Sequence, residues 1–237
     1  MLWRGVVAGA KSLGVPVYDE DLPQSDEERQ ALYGAALEQA RGEDFGEFEE
    51  ANIMHVAGTD KRGNRLVVVT GANLPAWGAL DKERFRRYVY STLHGVATQE
   101  AYCIVYLHTD MQASHRPCAS WLMNSFEVLP DVWQERLHGF YVVHPAMTLR
   151  AALSILPFWL FSPFARGDFV QKVIYIDRIE QLWEDMDQSA LQLPTTVLEH
   201  DAELEEKGVG FNYGVVPPPE ELRAQHDAMM GGPAPSE

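Results

Sequence analysis

One stretch decides the fold: Ala101-Tyr102-Cys103-Ile104-Val105-Tyr106-Leu107, an apolar run that no charged residue interrupts. Such a run is typical of a strand that is buried on both faces of a parallel sheet. Similar β-branched and aromatic runs lie before and after it, at Leu66–Val69, Phe140–Val143 and Val173–Ile176. The sequence therefore predicts several buried strands, spread over most of the central region of the chain.

Helical patterns separate these strands. Apolar residues recur at helical spacing over residues 82–98, and a second helical pattern runs from Trp121 to Leu129, before Pro130. The turn at residues 60–64 is expected to pair the strand at Leu66–Val69 with Ile53–Val56. Strands that alternate with helices predict an α/β domain whose mostly parallel sheet is covered on both faces.

The negative charge is concentrated at the two ends. The net charge is −16. Residues 1–50 hold 12 acidic and 4 basic residues, residues 201–237 hold 8 and 2, and residues 51–200 hold 15 and 13. Without a basic stripe, nucleic-acid binding is not expected.

The two cysteines exclude a disulfide framework, and no signal-peptide pattern is seen, so a reducing, cytoplasmic setting is expected.

The segment between Arg150 and Arg166 contains no charged residue. It is too short to span a bilayer, which needs about 20 apolar residues, and Pro157 and Pro163 interrupt it. Two interpretations fit this pattern: a buried core helix with a kinked exit, or a movable helix that either covers an apolar cavity or touches a membrane when it opens.

The common catalytic motifs are missing, including the nucleophile elbow, the phosphate-binding loops and the zinc-protease helix. His108, His115 and Cys118 are close in sequence, but without a paired-cysteine motif they do not predict a metal site. His144 ends a strand, where we favour a local hydrogen-bonding role over a ligand-binding one. The sequence therefore predicts neither an enzyme nor a cofactor.

Six motifs resemble, in order and spacing, the divergent CRAL-TRIO (Sec14-like) domain in its BCH-type branch. They are Gly58–Arg65, Val105–Thr109, Arg116–Leu122, Phe140–Pro145, Gln171–Ile176 and Leu193–Leu198. The resemblance covers about residues 50–201 and implies an α/β/α sandwich, whose sheet forms the floor of an apolar cavity under a mobile hydrophobic gate helix. It divides the chain into an acidic N-terminal extension with one amphipathic helix (1–49), the domain (50–201) and an acidic, Pro/Gly-rich tail (202–237).

The resemblance implies a non-catalytic module that binds a lipid or isoprenoid-like ligand in signalling or lipid trafficking, with peripheral membrane contact. The gate helix maps to residues 148–164, and phosphoinositide-binding residues find no match. The residues expected to line the cavity are Tyr106, Trp121, Leu153, Leu156, Phe158, Phe161, Phe164 and Ile174.

The alternative is a protein-interaction adaptor that binds or regulates Rho-type small GTPases, without a GTPase-activating domain of its own. The resemblance also implies that the chain can self-associate, as members of the branch do. The dense basic cluster for such a surface lies on the helix over residues 82–98: Lys82, Arg84, Arg86 and Arg87. A solvated helix face is the competing interpretation of this cluster.

Overall fold

A computed structural model describes residues 25–147, 149–150 and 169–207. These residues form a five-stranded sheet of spatial order β1-β2-β3-β4-β5, which is also the chain order. The strands are β1 (Met54–Thr59), β2 (Arg65–Thr70), β3 (Tyr102–Leu107), β4 (Leu137–Val143) and β5 (Val173–Ile176). β1 and β2 form an antiparallel hairpin, and β2 to β5 are parallel, so the prediction of a mostly parallel mixed sheet is confirmed.

Helices in the described part of the chain are α1 (Asp26–Ala40), α2 (Gly46–Glu50), α3 (Lys82–Gln99), α4 (Ala119–Glu127), α5 (Asp131–Arg136), α6 (Leu182–Asp185) and α7 (Thr195–Glu206). The helix predicted at 82–98 is confirmed as α3. It begins where the Asp81 carboxylate accepts a hydrogen bond from the backbone N–H of Arg84, at 3.1 Å. Its apolar stripe, including Phe85, Tyr88 and Leu93, is buried.

The two faces of the sheet are covered by different parts of the chain. The front face, which carries Val67 and Tyr102, packs against α1, α3, α4 and α5 in one apolar core. The back face, which carries Val68, Val105 and Val143, packs against residues 176–197 in a second core. The sandwich expected from the sequence is therefore observed, with one apolar core on each side of the sheet.

After β5, the chain forms a 3₁₀ turn at Ile179–Gln181 followed by one turn of α-helix, α6. The acidic stretch 43–50 contains α2 and buries Phe48. Phe48 packs against Phe85 of α3, with ring centroids 5.5 Å apart. This aromatic contact holds the acidic segment against α3.

The N-terminal helix α1 belongs to the front core. Tyr33 is buried beside Tyr90 and Trp133, at centroid distances of 5.4 and 5.8 Å. Its hydroxyl lies 2.7 Å from Nδ1 of His94. Burial raises the pKa of Tyr33 to about 12, so this hydroxyl stays protonated at neutral pH. Residues of the predicted N-terminal extension thus share a core with the sheet.

Candidate functional site

Half-buried apolar side chains form a strip on the front face across the last three strands. Strand registers pair Ile104 with Phe140 and Phe140 with Val173, and Tyr106 and Tyr175 lie on either side of Val142. All of these except the fully buried Val142 are partly exposed. We name Ile104, Tyr106, Phe140, Val173 and Tyr175 the front strip.

The back face of the same strands is packed differently. Cys103, Val105, Leu107 and Val143 have at most 1% of their surface exposed beneath the C-terminal segments. Except at Ile174 on the edge strand β5, these strands have one packed face, and their other face is apolar with accessible side chains. Accessible apolar surface on a sheet floor is suited to a hydrophobic ligand, because burying that surface in a ligand contact releases free energy of about 25 cal/mol per Å².

At one end of the front strip, Tyr106 contacts two side chains that follow β3. Its hydroxyl lies 3.2 Å from Nδ1 of His108 and 3.5 Å from the sulfur of Met111. Burial raises the pKa of Tyr106 to about 12. Burial, together with the positive charge of Arg116, lowers the pKa of His108 to about 4. Both side chains are therefore uncharged at neutral pH, which suits an apolar site.

At the other end of the strip, Tyr175 lies under the start of the segment that follows β4. The guanidinium carbon of Arg150 is 4.9 Å from the centre of the Tyr175 ring, a cation–π contact. Arg150 also forms an ion pair with Asp177, just after β5. These contacts bring the chain back over the front face at residue 150, above the front strip.

Trp121, a predicted cavity residue, is 3% exposed in the front core. Its ring packs edge-on against Trp77 at 5.0 Å and is stacked with Phe85 at 5.8 Å. The structure therefore places Trp121 between α4 and α3, on the same side of the sheet as Tyr106.

Ile174 is not brought together with Tyr106. It pairs with Tyr141, whose side chain packs in the back core, so Ile174 lies on the opposite face and is 36% exposed. The strip residues on β5 are its neighbours Val173 and Tyr175, which the sequence interpretation missed. Alternation along Val173–Ile176 was the available signal: Ile176 joins the back core, which assigns Val173 and Tyr175 to the front.

Most of the predicted gate helix lies outside the described residues, as do the five cavity residues assigned to it: Leu153, Leu156, Phe158, Phe161 and Phe164.

The predicted basic cluster on α3 makes contacts within the chain. Arg87 forms a two-pronged ion pair with Glu43, with N–O distances of 2.7 and 2.5 Å. Arg84 pairs with Glu47. Arg86 pairs with Glu83 at 3.1 Å, and the ammonium of Lys82 lies 5.5 Å from the Trp77 ring centre. The acidic segment 43–50 thus neutralises much of this helix face.

His144 has the hydrogen-bonding role that the sequence favoured, with one distant partner. Its Nδ1 lies 2.9 Å from the Thr109 hydroxyl, and its Nε2 lies 3.2 Å from Oδ1 of Asp201 on α7. Burial lowers the pKa of His144, so the imidazole is neutral at neutral pH. The residue has a φ of 50° at the end of β4, a left-handed conformation that these contacts hold in place.

Within residues 25–147, 149–150 and 169–207, no group of three His, Cys, Asp or Glu side chains is placed to hold a metal ion. Among the helices described in these ranges, none has the length and apolar character needed to span a bilayer.

Comparison with known families assigns the domain. A model of the family described as "Divergent CRAL/TRIO domain" matches residues 63–203. The chain belongs to this family. Domains of this family are generally lipid-binding transfer domains rather than enzymes. The matched region includes β3, β4 and β5 and therefore every residue of the front strip.

Several curated proteins are similar to this CRAL/TRIO chain. Rho GTPase-activating protein gacY of Dictyostelium discoideum is 29% identical over 171 residues, covering 72% of this chain and 23% of gacY. Human Rho GTPase-activating protein 1 is 25% identical over 181 residues, covering 76% and 40%. The GDAP2 homolog of Nematostella vectensis is 26% identical over 185 residues, covering 78% and 35%. The chain thus spans less than half the length of these relatives.

Among solved structures, the crystal structure of Sfh5 matches with a TM-score of 0.45 and 11% sequence identity. The match covers 73% of this chain and 71% of the Sfh5 chain.

Proposed function

We propose that this CRAL/TRIO domain is a non-catalytic module that binds a lipid or isoprenoid-like chain against the front strip. The observation that carries the proposal is the difference between the two faces of β3–β5. The back face is packed except at Ile174 on the edge strand β5, whereas the front face leaves apolar side chains partly exposed on all three strands, among them Tyr106, Phe140 and Tyr175.

The chemistry of the strip supports an apolar occupant. Tyr106 and His108 are uncharged at neutral pH, and the strip contains no acidic or basic residue. A chain that buries its methylene groups there gains about 0.8 kcal/mol for each CH₂. A ligand with a long apolar chain can therefore bind tightly with few polar contacts. The proposed setting is cytoplasmic, with peripheral contact to the membrane that supplies the ligand.

The experiment that tests this function is purification of the chain from cells, extraction with organic solvent and identification of bound lipids by native and lipid mass spectrometry. A lipid bound at one copy per chain is expected. A folded protein that carries no lipid, and takes none from vesicles of phosphatidylcholine and sterol, would contradict the proposal.

Two neighbouring residues provide a matched pair of variants for the same measurement. Tyr175→Thr alters the front strip, whereas Ile174→Thr alters the opposite face of the same short strand. Threonine favours strands, so both variants should fold. Bound lipid should fall several-fold in Tyr175→Thr and stay at the wild-type level in Ile174→Thr. Equal loss in both variants would count against the front strip as the binding surface.

A second candidate function is binding of Rho-type small GTPases as an adaptor. It is supported by the names of the relatives, several of which are Rho GTPase-activating proteins, and by the basic residues on α3. A pull-down with a GTPase of this class tests it, using the charge-swapped variant Glu43→Arg/Arg87→Glu, which keeps the ion pair but reverses its polarity. Capture of the GTPase by the wild type but not by the charge-swapped variant would favour the adaptor function. Failure of both proteins to capture the GTPase would contradict it.

A further inference from the structure

Two side chains with polar atoms, Trp121 and Asn124, lie on the buried side of helix α4. Trp121 and Asn124 are each 3% exposed, whereas Leu122 between them is 48% exposed. Residues three apart share a helix face, so Trp121 and Asn124 lie together on the side of α4 that faces away from solvent.

The polar atoms of this pair have no hydrogen-bond partner among the described residues. They are the indole Nε1 of Trp121 and both Nδ2 and Oδ1 of Asn124, all shielded from water. Most buried polar groups in folded proteins are hydrogen-bonded, because an unmade bond costs the full desolvation of the group. Three such atoms on one helix face therefore indicate a partner that the described residues do not supply.

On the adjoining side of the helix, the polar groups of Ser125 have hydrogen-bond partners. The hydroxyl of Ser125 accepts a hydrogen bond from Nε of Arg86 at 3.1 Å, and its backbone carbonyl accepts one from the Tyr90 hydroxyl at 2.6 Å. Contact with α3 thus accounts for Ser125 and leaves Asn124 unexplained.

The position of α4 places Asn124 on the side of the sheet that carries the proposed ligand surface. α4 and α5 carry the chain from the end of β3 to the start of β4, and Trp121 belongs to the core on the front face. A crossover helix between parallel neighbours packs over the strands it connects. Ile104 of the front strip packs against this same core, so the inward face of α4 and the strip lie on the same side of the sheet.

We propose that Asn124 and Trp121 hydrogen-bond the uncharged polar end of the hydrophobic ligand, so that the ligand is one carrying a hydroxyl or ester group. The proposal rests on the proposed function. A carboxamide offers both a donor and an acceptor, and an indole offers a donor, which together match a neutral hydroxyl or ester. Arg86 lies 5.7 Å from the Trp121 ring but is paired with Glu83, so it does not supply charge for an anionic group.

The test compares two fluorescent probes with the same apolar chain, a pyrene-labelled long-chain alcohol and the matching alkane. The full chain should bind the alcohol about tenfold more tightly, the effect of one hydrogen bond. Asn124→Leu, which keeps the volume and removes both amide atoms, should bind the two probes equally. Trp121→Phe, which removes the indole donor, should reduce the preference and serves if the first variant does not fold.

Thermal melting separates this role from a structural one. Without a ligand, Asn124→Leu should melt at or above the wild-type temperature, because it removes an unsatisfied buried group. Leu122→Ala on the exposed side is the control and should leave the preference unchanged. Equal binding of both probes by the wild type, or a preference that survives in both variants, would overturn the proposal while leaving the lipid-binding function standing. Binding of neither probe would overturn both.

Discussion

The imidazole Nε2 of His144 lies 3.2 Å from the Oδ1 atom of Asp201, although 57 positions separate the two residues. The same carboxylate accepts hydrogen bonds from the Arg178 guanidinium, at 3.1 and 3.2 Å, and from the backbone N–H of Ile179, at 2.8 Å. Asp201 therefore ties helix α7 to the ends of both β4 and β5.

Replacing this carboxylate should loosen the C-terminal end of the sheet. Hydrogen bonds from Arg178, Ile179 and His144 outweigh burial and lower the pKa of Asp201, so the charged form is the one that the fold stabilises. Asp201→Asn should lower the free energy of unfolding by about 3 kcal/mol, because it breaks a buried ion pair. Urea unfolding measures the loss. Glu199→Gln on the exposed side of α7 is the control, and a loss as large there would contradict the role of Asp201.

His108 should make stability depend on pH. Its pKa is 6.5 when unperturbed and about 4 in the folded protein, where burial and then Arg116 lower it. Between these values the unfolded chain binds a proton that the folded chain does not, so stability falls as pH drops from 6.5 towards 4. A single titrating group can change the free energy of unfolding by at most about 1.4 kcal/mol per pH unit.

The variant His108→Gln tests this dependence and retains a hydrogen-bonding partner for Tyr106. Urea unfolding at a series of pH values should give a shallower slope between pH 6.5 and 4 than in the wild type. Part of the slope should remain, since burial also lowers the pKa of His55 and His144. A slope in His108→Gln as steep as that of the wild type would contradict the prediction.

The pair Glu43–Arg87 should contribute to stability. Its two hydrogen bonds are partly shielded, with side-chain exposures of 26% and 18%. Arg87→Glu should lower the free energy of unfolding by about 1–2 kcal/mol, and the swap Glu43→Arg/Arg87→Glu should recover most of that loss. The same cycle on the exposed pair Arg41–Glu38 should give less than about 1 kcal/mol of coupling. Equal coupling energies in the two pairs would show that partial burial does not strengthen the ion pair.

The Cys103 thiol should be unreactive in the folded protein. It is 1% exposed, and burial together with Asp60, whose Oδ2 lies 3.6 Å from the sulfur, raises its pKa to about 12. In the variant Cys118→Ser, which leaves Cys103 as the sole cysteine, iodoacetamide should react at least about a hundredfold more slowly before unfolding than after it. Mass spectrometry follows the reaction. Fast modification of the folded variant would contradict the assigned environment.

Much of the sheet was predictable because its strands carry local signals. The apolar run at residues 101–107 requires burial on both faces, and the turn at 60–64 fixes the antiparallel hairpin, where the Asp60 carboxylate accepts hydrogen bonds from the backbone N–H groups of Arg62 and Asn64. Such signals lie within a few residues of one another, so they can be read directly from the sequence.

Contacts across the fold were harder to predict. β5 is four residues long, so a shift of one residue exchanges Ile174 with Tyr175 between the faces, and hydrophobicity does not distinguish these two residues. The acidic stretch 43–50 has the composition of a solvated segment, and only its packing on α3 shows that Phe48 anchors it. The amide atoms of Asn124 stand out because they are buried without a hydrogen-bond partner among the described residues. No sequence pattern encodes such a missing contact.

The division of the sheet between two sets of covering elements has a consequence for synthesis on the ribosome. The described helices that cover the front face precede β4, whereas the segments that seal the back face come from residues 176–197. A nascent chain that has emerged only as far as β4 can thus bury Val67 but leaves Leu66, Val68 and Val105 in water. Because domains fold as units during translation, this intermediate is a natural substrate for chaperones that bind exposed apolar strands. Emergence of residues 176–197 then completes the back core.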